Sequence, residues 1–195
     1  MRDASVEELF AAAGALRVGH FRLKSGLHSA RYLEKFAVLQ YPSLASELCR
    51  RLAAALADAD PAVVVGPTTG GMLLAFETAR WLESTLGHQV RDLFAESVPG
   101  GRELRRGFAI GADERVVLVD DILTTGASLR ETVNAVRAAG GEATAAAVLV
   151  DRSAEPIDAG VPITALGRIE IETWPADACP RCSASEPLET PGSGR

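Results

Sequence analysis

The sequence predicts an α/β domain, a mostly parallel sheet flanked by helices, and three stretches carry that expectation. Residues 116–128 (VVLVDDILTTGAS) run four aliphatic side chains into two aspartates and then into a small, hydroxyl-rich turn. Residues 62–65 do the same into Gly66-Pro67-Thr68-Thr69-Gly70-Gly71, and residues 142–150 form a third apolar stretch that ends at Asp151-Arg152. An unbroken apolar run suits a strand covered on both faces, and such sheets bind their ligands at the strands' carboxyl ends.

Taken in order, Ser5 and Glu8 have capping-box spacing, and Leu9, Phe10 and Ala13 give the helix that follows an apolar face before Gly14. Residues 18–24 and 30–38 read as two strands of a hairpin around a turn at 25–29. Lys24, His28, Arg31, Glu34 and Lys35 crowd that turn, by default as a solvated face. Ser43 precedes a helix with Leu44, Leu48, Leu52 and Leu56 at every fourth position, stopped by Pro61. Cys49, near that face, reads as a small buried hydrophobe. The loop at 66–71 leads into a helix over 72–86, stopped by Gly87, and residues 90–95 read as a strand. The Gly- and Arg-rich stretch 96–107 lacks apolar periodicity and is either a surface hairpin or a mobile lid that brings cations to an anion. Ser128 and Glu131 again have capping-box spacing, which predicts a helix starting at Ser128 and ending at Gly140-Gly141. Strands are expected at 163–166 and 168–172, and the Pro/Gly/Ser-rich tail 189–195 reads as mobile.

At 195 residues the chain suits one domain with a full core. Its 47% hydrophobic and 24% charged residues are ordinary for a globular protein. No apolar run reaches bilayer length, and MRDASVEELF is too charged for a secretory signal, so a cytoplasmic protein without a membrane partner is expected. Three cysteines make no disulfide framework, which fits a reducing compartment. A net charge of −6 argues against nucleic acid as the main partner. An acidic chain that binds a phosphorylated anion must therefore use local donors and a metal.

The local chemistry fits such an anion. Backbone amides of Thr125, Gly126, Ala127 and Ser128, aimed by a helix amino end, would cradle a phosphate, and the loop at 66–71 makes a second cradle or else a tight turn needing glycine for its geometry. Asp120 and Asp121 repel phosphate but suit the vicinal hydroxyls of a ribose, or magnesium carried in with the substrate. Arg152, at a strand's carboxyl end, is placed to hold a planar anion bidentately. Cys179-Pro180-Arg181-Cys182 supplies half of a structural zinc site, and His20, His28 and His88 are too remote in sequence to nominate as its other half.

The acid pair followed by TTG resembles the phosphoribosyl-diphosphate (PRPP) motif of the type I phosphoribosyltransferases. With LKSGLHSARYLEK, VVGPTTGGM and LVDR added, the chain to about Arg152 is similar to orotate phosphoribosyltransferases, and the CPRC tail to their thermophile-type bacterial branch. The resemblance implies a type I phosphoribosyltransferase fold: a five-stranded core over about 43–160, with a small hood from about 1–40 and 161–190. It also implies a homodimer whose loop at 96–107 covers the neighbouring site. By the same resemblance PRPP would contact Lys24, Thr68, Thr69, Gly70, Gly71, Asp120, Asp121, Ile122, Leu123, Thr124, Thr125, Gly126, Ala127 and Ser128. Orotate would contact Lys24, Thr124 and Arg152, and Mg2+ would be carried in by PRPP with no assigned protein ligand, Asp120 and Asp121 being the candidates.

Two positions depart from the family pattern. Many members carry a lysine where this chain has Thr69-Gly70, and lysines with a histidine in the loop where this chain has Arg102, Arg105 and Arg106. Those arginines would then stabilise the leaving diphosphate electrostatically, because arginine does not donate a proton as a tuned lysine or histidine does. The expected activity is transfer of phosphoribose from PRPP to orotate. The alternatives are transfer to another base, or a PRPP-binding regulator without catalysis.

Overall fold

A computed structural model of the protein describes residues 4–23 and 25–191. Its larger sheet has six strands in the order β5-β4-β3-β6-β7-β8: β3 (Val63–Pro67), β4 (Arg91–Val98), β5 (Gly101–Leu104), β6 (Arg115–Leu123), β7 (Glu142–Asp151) and β8 (Ile163–Arg168). Five of these run parallel, and β5 alone is antiparallel, paired to β4. The sheet extends past residue 160, because β8 supplies the fifth parallel strand. The separate expectation of a strand at 168–172 fails: β8 runs on to Arg168, and the next strand is the short β9 (Thr173–Trp174).

Alternate residues of each central strand enter different cores, which explains the unbroken apolar runs. Val64, Val117, Val119, Ala147 and Leu149 pack with α1 (Val6–Ala12), α3 (Pro42–Leu56) and α4 (Gly70–Leu86). Val63, Val65, Val116, Leu118 and Val148 face the other way, onto α5 (Ala127–Ala138). Each fully buried side chain of this kind contributes about 1.5–3 kcal/mol by leaving water. Cys49 is fully buried in the first core, where desolvation pushes its thiol up to about 12, so it is packing material and not a nucleophile.

A smaller three-stranded sheet, in the order β1-β2-β9, joins β1 (Leu16–Arg22) and β2 (His28–Leu33) to β9. The strand expected over 30–38 stops at Leu33. Glu34 then accepts the Phe36 amide at 3.2 Å and opens the short helix α2 (Lys35–Leu39), whose Val38 and Leu39 turn into the core. Helical spacing of those two side chains, with a carboxylate cap in front, outweighs their strand propensity. At the other end Glu189, expected in a mobile tail, is bound to β1: its amide donates to the His20 carbonyl and its carbonyl accepts from the Arg22 amide, both at 2.8 Å. Residues 192–195 lie outside the described part.

Capping followed sequence once and failed once. Ser5 and Glu8 form the reciprocal box at α1, with distances of 3.1 and 2.7 Å. At α5 the helix starts at Ala127 instead, with Gly126 as its left-handed N-cap (φ +73°) and no side-chain cap. Stretch 96–107 is the hairpin β4–β5 with register Ala95 opposite Leu104, followed by a connecting segment into β6.

Candidate active site

The carboxyl ends of β6 and β7 meet the β1–β2 hairpin around a cavity of about 720 Å³, lined on the sheet side by Asp121, Ile122, Thr124, Thr125 and Arg152. Leu23 and Ser25 from the hairpin turn, Tyr32, Lys35 and Phe36 from the segment after it, and Pro191 from the carboxyl end complete the wall. Lys24, expected in this turn, lies outside the described residues. A second cavity of about 800 Å³, along β8 and the segment to β9, shares Arg152 with the first.

β6 carries the acid pair, with Asp121 lining this space and Asp120 a smaller concavity next to it. Asp120 and Asp121 are buried, 6% and 4% exposed, and each accepts the amide of its successor at 2.8 Å. Burial, and then the neighbouring Asp121 charge, push the Asp120 carboxyl up to about 6, against the Asp121 amide and the Ser128 hydroxyl, which favour its ionised form. Here lies the reason the capping box fails: Ser128 sits one residue inside α5 and turns its hydroxyl to Asp120, while Glu131 approaches Arg102 at 3.5 Å. Below about pH 4 the Asp120 carboxyl is protonated in the folded and unfolded chain alike. Above that the folded protein keeps a proton the unfolded chain releases, so stability from this group is lost as pH rises through 6. Asp120→Asn is expected to remove that loss and raise the melting temperature at neutral pH by about 5 °C, from about 2 kcal/mol. Equal midpoints for variant and native protein at pH 7 would contradict this account of the acid pair.

Asp121 is held differently. Its Oδ2 lies 2.7 Å from the Lys35 ammonium, a charge contact without the direction of a hydrogen bond, since that oxygen has no hydrogen-bond partner among the described residues. Lys35 was read from sequence as part of a solvated face. It stands instead beside the contact of Asp121 with the second loop, because a β-carbon on Gly70 would lie 2.0 Å from Asp121 Oδ2 and 3.5 Å from Lys35 Nζ.

The loop at 66–71 is a tight turn as well as a floor. A β-carbon on Gly66 would meet the Gly71 carbonyl oxygen at 2.0 Å, so these two glycines allow backbone to pack on backbone, whereas Gly70 allows the loop to approach the acid pair. Thr68 and Thr69 are joined by a cis peptide bond, and Thr69 is exposed. On the other side of β6, Leu123 to Leu129 line a small concavity of about 40 Å³ together with Asp120 and Ile122. There the first amides of α5 lack intrahelical acceptors and face outward, the arrangement that binds anions. Arg130 braces this turn from behind, donating to the Thr125 carbonyl at 2.7 Å and the Asp158 carbonyl at 3.1 Å.

Arg152 follows β7, its amide donating to the Leu123 carbonyl at 2.8 Å. Its Nε is buried without a hydrogen-bond partner among the described residues, and desolvation lowers the guanidinium from its usual value, offset in part by Tyr32. A half-buried guanidinium whose Nε lacks a partner at a cavity wall is costly unless something anionic arrives to pair with it. The hairpin arginines are placed unequally. Arg102 reaches back to the second loop, donating to the Thr68 and Ala95 carbonyls at 3.4 and 3.3 Å. Arg106 pairs with Glu96 at 2.6 Å and Arg105 stands 3.7 Å from Glu103, and none of the three lines the cavity. Sequence reasoning missed the roles of Lys35, Tyr32 and Arg130; Lys35 meets Asp121 and Arg130 meets Asp158 only in the folded chain.

Residues 40–175 match the family model described as phosphoribosyl transferase domain. Over nearly their whole lengths, two relatives named orotate phosphoribosyltransferase are similar to this chain. That of Pelotomaculum thermopropionicum is 46% identical, covering 99% of this chain and 98% of its own, and that of Caulobacter vibrioides is 44% identical, covering 100% and 98%. Among solved structures, the orotate phosphoribosyltransferase of Mycobacterium tuberculosis in complex with Fe(III) dicitrate has a TM-score of 0.68 at 25% identity, covering 84% of this chain and 95% of that one.

Proposed function

The chain belongs to the phosphoribosyl transferase family, and from that premise we infer that it transfers the 5-phosphoribosyl group of PRPP to orotate, giving orotidine 5′-monophosphate and diphosphate in pyrimidine biosynthesis. The observation that carries this reading is a cavity lined by Asp121, Thr124, Thr125 and Arg152, whose Nε has no hydrogen-bond partner among the described residues, next to a small concavity that holds Asp120 and the turn to Ser128 and shares Ile122, Thr124 and Thr125 with it. In the reaction the bond from the ribose anomeric carbon to diphosphate breaks and a bond to an orotate ring nitrogen forms. Positive charge develops on the ribose meanwhile, so positioning and charge stabilisation are the main demands.

Placement supports a role for each residue. The turn at Thr125 to Ser128 takes the 5-phosphate through the α5 amides, and Asp120 and Asp121 face the ribose hydroxyls. Arg152 and Thr124 hold orotate, whose carboxylate supplies the counter-charge the guanidinium lacks. Lys35, beside Gly70, gives the second loop in space the cation that Thr69-Gly70 lacks in sequence, and with Arg102 it faces the diphosphate. Magnesium belongs to this reading too. It takes oxygen ligands and keeps much of its water, and Asp120, without the direct lysine contact of Asp121, is the carboxylate that suits it. When bound it neutralises diphosphate charge. A homodimer and a cytoplasmic location complete the proposal. Arg105 and Arg106 do not line the cavity of their own chain, which supports a role across a dimer interface, and no helix among the described residues is long and apolar enough to cross a membrane.

Purified protein mixed with PRPP, magnesium and orotate should consume orotate, followed by its absorbance, and leave uracil, xanthine and hypoxanthine unchanged. Turnover of one of those bases in place of orotate would overturn the assignment. Gly70→Ala should lower kcat/KM about a hundredfold, because a β-carbon 2.0 Å from Asp121 Oδ2 must displace the carboxylate. Native kinetics in that variant would show that the loop and the acid pair tolerate separation.

A further inference from the structure

We propose that His20, His28, Cys179 and Cys182 form a tetrahedral zinc site that fastens the carboxyl-terminal segment to the β1–β2 hairpin. One ligand atom from each of these residues lies within 4.8 Å of all the others. His20 Nε2 is 3.0 Å from His28 Nδ1, 3.4 Å from Cys179 Sγ and 3.6 Å from Cys182 Sγ, and His28 Nδ1 is 3.2 Å from Cys182 Sγ. Zn–N bonds of about 2.0 Å and Zn–S bonds of about 2.3 Å at tetrahedral angles put donors about 3.3–3.8 Å apart, so these four separations lie within a few tenths of an ångström of a tetrahedral site. His20 Nδ1 lies 3.0 Å from the Glu186 carbonyl oxygen, to which it donates, and this fixes the tautomer whose bare Nε2 lone pair points at the other three donors. Both imidazoles and Cys179 are buried, 3%, 4% and 1% exposed, whereas Cys182 opens to solvent and gives an entry path. Two thiolates and two imidazoles in tetrahedral array select zinc over the harder divalent ions.

Physical coupling to the cavity is direct. The hairpin that carries both histidines also carries Leu23 and Ser25 of the cavity wall, and the chain leaving Cys182 pairs Glu189 with β1 and places Pro191 in the same wall. Zinc would thus set the distance between two pieces of wall that are far apart in sequence.

The full chain, purified without a polyhistidine tag or chelator, is analysed for metals by plasma mass spectrometry. We expect about one zinc per chain, and less than about a tenth of that in Cys179→Ser/Cys182→Ser. Replacement by Co2+ should give the visible bands of a tetrahedral ion with thiolate charge transfer, a signature of the native chain that does not depend on any variant folding. Cys182→His, which keeps a ligand, should retain the metal. Absence of metal even after incubation with equimolar Zn2+ would overturn the proposal. So would full zinc content in the double serine variant, stoichiometric iron or copper in place of zinc, or a Cys179–Cys182 disulfide in the freshly isolated protein.

Discussion

Replacing Arg152 with alanine is expected to lower kcat/KM for orotate by about a hundred- to a thousandfold while the KM for PRPP changes little. Charge-assisted hydrogen bonds are worth about 1.5–3 kcal/mol each, and a bidentate pair to a carboxylate loses two of them. The loss should fall on orotate, because the guanidinium lines the larger cavity and not the concavity formed by the α5 amides. Arg152→Lys should recover only part of it, since an ammonium cannot reproduce the fork. Folding should not suffer in parallel. The Arg152 Nε is buried without a hydrogen-bond partner among the described residues, so the side chain costs the empty protein stability and its removal should leave the melting temperature level or higher. Steady-state kinetics with each substrate varied separately, beside a thermal melt, decide the matter. An unchanged orotate KM would remove Arg152 from the base site.

Asp121→Asn should have an effect of similar size on kcat. The substitution takes away a negative charge from the ribose face and leaves the Lys35 ammonium, 2.7 Å away, as an unopposed positive charge where positive charge must develop. Together these should slow turnover about a hundred- to a thousandfold, or about 3–4 kcal/mol. Lys35→Met made in the Asp121→Asn background should cost far less than Lys35→Met alone, with a coupling of about 1–3 kcal/mol. Additive losses would mean that the contact in the empty site is dissolved before the chemistry. In that case Lys35 acts on diphosphate alone.

How much of this could be read from the chain depends on sequence separation. The β6 strand, its acid pair and the turn after it lie within thirteen consecutive residues, and their chemistry follows from local rules of burial, turn formation and helix amino ends. The same holds for the Ser5 capping box. The failure at Ser128 has a tertiary cause: a hydroxyl that local rules would assign to the helix cap finds a buried carboxylate eight residues back, across the turn. Strand propensity likewise misassigned residues 35–38, whose Val38 is decided by the core beneath it. Lys35 became a site residue only by meeting Asp121, 86 positions away in the chain, and nothing in its own neighbourhood distinguishes it from a solvated lysine.

Sequence by itself determined the parallel α/β sheet, the carboxyl-end binding turns and the acid pair at their centre, because hydrophobic runs of strand length and the small residues after them impose the same geometry in any compact chain. Tertiary structure decided which charges share a space. It set Lys35 beside Asp121 and Gly70, left the Arg152 Nε buried without a hydrogen-bond partner among the described residues, and turned Arg102 toward the second loop while pairing Arg106 with Glu96. It also brought His20 and His28 to the CPRC turn from about 160 positions away, as in the 3.4 Å approach of Cys179 Sγ to His20 Nε2. The reason is physical. Backbone geometry and burial are set mainly by near neighbours along the chain, whereas electrostatic and ligand contacts act over a few ångströms of space and do not depend on sequence distance.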